Sequence, residues 1–317
     1  MTFSVIIPTF KRPDLLVNAV NSVSAQTFSD YEIIVVNDHP GDKEIIDNLL
    51  KNFDRTTVYH HTIQEGGNAA RNLGIRMSTG DILAFLDDDD VWLPDKLLRH
   101  AEAHQQNPKA GLIYSNCLYV HNNLLIADQA TASKVPSDII GHMCKAKFCP
   151  TTSSIVTIRK EVVAICGMFD ETMVSLQDWD YWFRIAHHFE FAHIPKTLVH
   201  FRQHLGDRVS QNETKRLLGI QQICDKWGDQ INIPRFTKSM NRVLYYQLSL
   251  NALMSGQREL FMIKSLQMLN NKNLSFESVK SFFNLWLHLF FKNRKRRLQF
   301  KVLILFLFNS FTSSCLI

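Results

Sequence analysis

Four consecutive carboxylates, Asp87-Asp88-Asp89-Asp90, follow a short apolar run that ends at Leu86. Left unpaired they repel one another. A divalent cation relieves that repulsion, because Mg²⁺ and Mn²⁺ take oxygen ligands and share their coordination shell with phosphate oxygens. A further acid, Asp38, ends a second apolar run, and Asp178 opens the stretch Gln177-Asp178-Trp179-Asp180 at the head of a helical pattern. Each acid also has a plainer reading. Carboxylates are welcome ahead of a helix such as 94–106, Asp38 stands beside the turn-forming Pro40-Gly41, and Asp178 is a good N-cap for a helix starting at Trp179. Residue type alone leaves both readings open.

The elements that would position these acids follow from the periodicity. Short apolar runs alternate with helical patterns through the first half of the chain, as in βαβ units with a mostly parallel sheet. Ser4–Ile7, Glu32–Val36, Thr56–His60, Asp81–Leu86 and Gly111–Asn116 read as strands. Helices are expected from Pro13, around Ile45–Leu50, over Gly67–Met77 and over Pro94–Gln106. Strand, helix and strand follow at Ser153–Thr157, Asp178–His188 and Leu198–Arg202. In an open α/β sheet, ligands gather outside the carboxyl ends of the strands, where Asp38 and Asp87–Asp90 both fall. Beyond about Glu213 the pattern turns helical. The expected division is an α/β domain over 1–210 and a helical region over 211–317.

Composition limits the function classes. A length of 317 residues with 45% hydrophobic and 21% charged residues suits a globular protein with a sizeable core. The six cysteines form no CxxC pair and read as reduced thiols of a cytoplasmic chain. No basic run precedes the first strand, so no signal peptide is expected. Lys292, Arg294, Lys295, Arg296, Arg297 and Lys301 together exceed the net charge of +5, so the rest of the chain is slightly acidic. A basic tail on an acidic body does not describe a nucleic-acid-binding surface.

Six segments then occur in a telling order: Ser4-Val5-Ile6-Ile7-Pro8-Thr9-Phe10-Lys11-Arg12, Val35-Val36-Asn37-Asp38, Gly67-Asn68-Ala69-Ala70-Arg71-Asn72-Leu73-Gly74, Phe85-Leu86-Asp87-Asp88-Asp89-Asp90-Val91-Trp92, Gly167-Met168-Phe169-Asp170-Glu171 and Gln177-Asp178-Trp179-Asp180-Tyr181-Trp182-Phe183-Arg184. Together, over roughly residues 3 to 210, they resemble glycosyltransferase family 2, the inverting enzymes of the GT-A fold. The resemblance implies a Rossmann-like sheet and transfer of a sugar from a UDP- or dTDP-linked donor to a saccharide acceptor. It places Pro8 and Phe10 at the nucleotide base, Asp38 on the base edge, Arg71 near the nucleotide and Asp88 near the ribose. Asp87 and Asp89 match the family's DxD pattern and would hold Mg²⁺ or Mn²⁺, and Asp90 would be a supporting acid. Asp178 matches the general base, although Gln177 stands where the family usually has Glu. His200-Phe201-Arg202-Gln203-His204 resembles the segment after the base helix, which implies His204 in the metal or diphosphate environment.

The remaining aromatic and basic residues get blander readings. Trp179, Tyr181, Trp182 and Phe183 are expected to pack, and Asp180 with Arg184 to form a helical i,i+4 pair worth a few tenths of a kcal/mol. His60-His61 and His187-His188 lack partners at metal-ligand spacing. In the tail, an aromatic stripe over 279–291, the basic cluster and the apolar run 302–308 suit a helix lying on an anionic leaflet. The apolar run is too short to span a bilayer. With the family, this tail implies a lipid-linked acceptor at the cytoplasmic face of the inner membrane, as in O-antigen or capsule assembly. Two rivals stand beside this reading. A sugar nucleotidyltransferase would need a glycine-rich loop after the first strand, and Pro8–Arg12 has no glycine. A transferase-like binding protein without chemistry would have no need of Asp38, Asp87, Asp89 and Asp178 together.

Overall fold

The computed structural model describes residues 1–121, 124–127, 134–203, 212–255 and 257–269. The order is β1 (Phe3–Thr9), α1 (Pro13–Ser24), β2 (Tyr31–Asn37), α2 (Lys43–Leu50), β3 (Thr56–His60), α3 (Gly67–Met77), β4 (Ile82–Phe85), β5 (Val91–Trp92), α4 (Lys96–Gln106), β6 (Ala110–His121), β7 (Leu124–Ala127), α5 (Ile139–Met143), β8 (Val156–Arg159), α6 (Glu161–Cys166), α7 (Gln177–Ala186), β9 (Glu190–Gln203), α8 (Glu213–Trp227), α9 (Ile233–Met254) and α10 (Arg258–Leu269). The chain forms two compact units, one of Met1–Gly206 with Leu218–Ile233, the other of Asp207–Leu217 with Pro234–Ile317.

Among the described residues, nine strands make one sheet in the order β3-β2-β1-β4-β8-β6-β9-β5, with β7 paired to β6. The strands β3, β2, β1 and β4 run parallel, as the βαβ pattern requires. Every residue of β1 is buried, which is why it reads as an unbroken apolar run rather than an alternation. Beyond β4 the sheet becomes mixed: β8 runs antiparallel to β4 and β6, and β5 antiparallel to β9, while β6 and β9 pair parallel. Helix α3 lies directly on β1. A Cβ at Gly74 would collide with the Ile6 side chain, so only glycine permits that approach.

Three local readings need correction. The strand expected over Ser153–Thr157 starts later, because Ser153–Ile155 is a 3₁₀ turn capped by the Thr152 hydroxyl, which accepts from the Ser154 N–H. Serine and threonine compete for backbone groups in this way. The strand expected over Leu198–Arg202 is the end of the longer β9. Its register against β6 jumps from Ser115↔Ile194 to Asn116↔Thr197. Pro195, lacking an N–H, sits inside that jump and accounts for the interrupted apolar pattern. Helix α7 starts at Gln177 rather than Trp179, with Leu176 as its cap in the left-handed region (φ 62°). Asp178 is therefore in the first turn and is not the N-cap.

Among the described residues, no helix is long and apolar enough to cross a membrane. The tail over 279–308 and His204 lie outside the described residues.

Candidate active site

The acidic run occupies the turn between β4 and β5, at the carboxyl end of β4 and beside the ends of β1 and β2. Its four carboxylates face different partners. Asp87 Oδ1 accepts from Arg71 Nη2 at 2.6 Å and from Ser153 Oγ at 3.2 Å. Asp88 Oδ2 accepts from Thr9 Oγ1 at 2.8 Å. One guanidinium nitrogen, Arg12 Nη1, bridges Asp88 Oδ1 at 3.1 Å and Asp89 Oδ2 at 2.9 Å. Asp90 is fully buried, its Oδ2 accepting from Ser154 Oγ at 2.6 Å and its Oδ1 from the Arg202 N–H at 3.1 Å.

This arrangement sorts the acids by function. Asp87, Asp89 and Asp90 each bring an oxygen within 4.8 Å of the others, an all-oxygen donor set suited to a hard divalent cation. Asp88 is not one of that group. Burial pushes its carboxyl up to about 6, against the pull of Arg12 and with the push of Asp89. Arg71 is the opposite case. Burial works against its charge, yet Asp87, Asp178 and Asp88 outweigh this and raise its pKa. The acidic run and Asp178 thus act on the same guanidinium, although they are some 90 positions apart in the chain. Asp178 is half-buried in the first turn of α7.

The loop carrying Gly167-Met168-Phe169-Asp170-Glu171 is what delivers α7 to this place. From α3, Asn72 receives the Phe169 N–H and donates to the Phe169 carbonyl and to Glu171, while Asn68 donates to the Asp170 and Met173 carbonyls. From α7, Tyr181 Oη donates to the Gly167 carbonyl and Arg184 Nη2 to the Met168 carbonyl. Asp180 is more than half of a surface pair. Fully buried, it accepts from Arg184 at 3.0 Å, from Trp227 Nε1 at 2.9 Å and from Lys226 Nζ at 2.9 Å. Trp179, Tyr181, Trp182 and Phe183 are buried, as expected of packing residues.

Around the expected base pocket, Pro8 is buried and Phe10 is half-exposed, its ring edge-on to His39 at 5.5 Å. Asp38 Oδ1 accepts from His61 Nδ1 and the Glu65 N–H, each at 2.8 Å, and Oδ2 from the Gly66 N–H at 2.9 Å. Asp38 therefore holds the loop leading into α3, and His61 is its partner rather than an ordinary packing residue. Thr9, Arg12, His61, Asn68, Asn72, Ser153 and Ser154 are site residues that the sequence reading passed over. Thr9, Arg12, Asn68 and Asn72 lie inside the quoted segments, which are the signal that could have found them.

A Rossmann-like sheet with acids at its carboxyl edge, an arginine shared between two acidic groups and an acid-bearing helix beneath is the architecture of the GT-A fold. Residues 4–164 match the family model described as Glycosyl transferase family 2, and the chain belongs to that family. An uncharacterised glycosyltransferase of Haemophilus influenzae is 28% identical over 57% of this chain and 61% of its own length. The chain thus spans under two thirds of that relative. The Campylobacter jejuni GalNAc(5)-diNAcBac-PP-undecaprenol beta-1,3-glucosyltransferase is 36% identical over 36% of this chain and 38% of its own. Among solved structures, S. aureus TarS 1-349 in complex with UDP-GlcNAc shares the fold with a TM-score of 0.57 at 15% identity, covering 87% of this chain and 93% of that one. Mannosyltransferase PcManGT from Pyrobaculum calidifontis, in complex with GDP-Man and Mn²⁺, has a TM-score of 0.54 at 16% identity, covering 92% and 81%.

Proposed function

We propose that this chain is an inverting glycosyltransferase moving a sugar from a nucleotide diphosphate to a saccharide hydroxyl, with Asp178 as general base. The observation that carries the reading is Arg71: it bonds Asp87 at 2.6 Å and its positive charge is favoured by Asp178 as well, which supports a base and an acidic run sharing one site. Asp87 and Asp89, with Asp90 behind them, fit Mg²⁺ or Mn²⁺, which when bound neutralises charge on a departing diphosphate. Pro8, Phe10 and Asp38 would seat the base, UDP or dTDP being favoured because a carboxylate acceptor suits a uracil or thymine N–H. Asp88 lies beside the ribose in this reading.

In the reaction, the acceptor oxygen attacks the anomeric carbon from the face opposite the leaving group. The carbon–oxygen bond to the diphosphate breaks as the new bond forms, and the hydroxyl proton passes to the Asp178 carboxylate. One displacement suffices, so no side chain need act as nucleophile. Gln177 leaves Asp178 without the neighbouring negative charge that Glu would bring.

Asp178→Asn tests the assignment: it keeps the shape and loses the basic oxygen. Nucleotide binding by calorimetry should persist while transfer falls at least about 100-fold; retained transfer removes Asp178 as the base. For the acceptor, the named activity of the Campylobacter relative supports a lipid-linked saccharide in surface-polysaccharide assembly. The aromatic and basic tail would then place the chain on the cytoplasmic face of the inner membrane. Deleting Lys292–Ile317 should move the protein from the membrane fraction to the supernatant, and an unchanged distribution overturns that placement.

A further inference from the structure

Beneath the acidic run lies a buried cluster that the transfer chemistry does not use. Lys96, the first residue of α4, is fully buried, and its Nζ lies 2.8 Å from His100 Nε2 and 3.4 Å from the Ile155 carbonyl. The same Nζ lies 4.9 Å from the Trp92 ring centroid. His100 Nδ1 and His104 Nε2 both reach Thr157 Oγ1, at 2.8 and 2.9 Å. Every one of these partners is neutral or an acceptor of protons, and burial alone pulls the Lys96 amine well below its ordinary range. A lysine kept in such a place is costly unless its hydrogen bonds serve something.

What they reach is the Ser153–Ile155 turn. Lys96 holds the Ile155 carbonyl, and Trp92 Nε1 donates to the Ser154 carbonyl at 2.9 Å. The two serine hydroxyls point the other way, Ser153 Oγ to Asp87 and Ser154 Oγ to Asp90, while Ser154 Oγ also receives the Asp87 N–H at 3.1 Å. The turn is thus grasped from below by α4 and β5 and presents its hydroxyls to two of the three carboxylates that converge. Outer groups of this kind commonly set metal affinity 10–100-fold without touching the ion.

We propose that Lys96 is a positioning residue for the divalent-cation site, acting through the Ser153–Ile155 turn on Asp87 and Asp90. The proposal rests on reading Asp87, Asp89 and Asp90 as that site.

The test is Mn²⁺ affinity, followed by the electron paramagnetic resonance signal of the free ion in the presence of UDP. Wild type, Lys96→Met, Ser154→Ala and the double variant are compared, each about 20 °C below its own melting temperature. Each single change should weaken Mn²⁺ binding about 10–100-fold. The double variant should be little worse than the weaker-binding single, because both act through one turn. Wild-type affinity in Lys96→Met overturns the proposal, and so do losses that simply multiply. Should Lys96→Met not fold, Lys96→Gln takes its place, its shorter side chain losing the reach to the Ile155 carbonyl, and an unchanged affinity there overturns the proposal equally. Failure of the wild type itself to take up Mn²⁺ is a different result: it removes the metal reading and this proposal with it.

Discussion

Arg12 and Asp88 both lie inside quoted segments, yet no motif foretells that they meet across 76 positions. Asp88 is buried and shares one nitrogen of Arg12 with Asp89. Its carboxyl is raised from an ordinary 3.8 to about 6 by burial, so the folded protein holds a proton there that the unfolded chain has already lost. The sign follows from linkage: the stability Asp88 contributes is fully present below about pH 3.8 and is lost as pH rises through about 6. In chelator-treated buffer, Asp88→Asn should therefore gain relative to wild type as pH rises from 4 to 7, read from urea midpoints. A difference that stays flat over that range contradicts the burial argument. The acids themselves were legible in the sequence because they cluster, and Arg71 because it sits in a recognisable motif. Ser153, Ser154 and His61 were not, since their partners lie 23 to 66 positions away and no local spacing encodes such a meeting.

At the scale of elements, the parallel half of the sheet was readable because each strand is an apolar run bounded by turns, and α3 falls at the expected Gly67–Met77. The mixed half was less so. Pro195 breaks the pattern of β9 without breaking the strand, and Ser153-Ser154 substitutes a turn for the start of β8. The placement of α7 rests on Asp180, whose carboxylate is fully enclosed by Arg184, Lys226 and Trp227. Removing one partner from a buried ionic group costs roughly 3–5 kcal/mol, because the other charges stay behind. Asp180→Ala should lower stability by about that amount in urea unfolding, whereas Asp225→Ala, on the exposed side of α8, should change it by under about 0.5 kcal/mol. Equal effects from the two would mean that Asp180 is no anchor. Leu176 belongs to the same element. A leucine in the left-handed region carries roughly 1–2 kcal/mol of strain, sustained here two residues before the proposed base.

For the whole molecule, the chain falls into two compact units, and the division runs through α8. Leu218–Ile233 belongs with the sheet-bearing unit, while Glu213–Leu217 belongs with the other. Within the sheet-bearing unit, the later half of α8 packs on the segment ahead of α7: Gly219 lies so near Ser175 that a Cβ there would come within 2.8 Å of the Ser175 carbonyl oxygen. Gln222 further clasps the turn ahead of α7, accepting from the Val174 N–H at 3.0 Å and donating to the Thr172 carbonyl at 2.8 Å.

That shared helix has a practical consequence for anyone dissecting the protein. A chain cut at residue 210 would leave the Asp180 carboxylate facing solvent without Trp227 or Lys226, and it should aggregate or melt without cooperativity by circular dichroism. A cut after Ile233 retains both residues and should melt sharply. If the shorter piece behaves as well as the longer one, the later half of that helix is a passenger on the sheet-bearing unit.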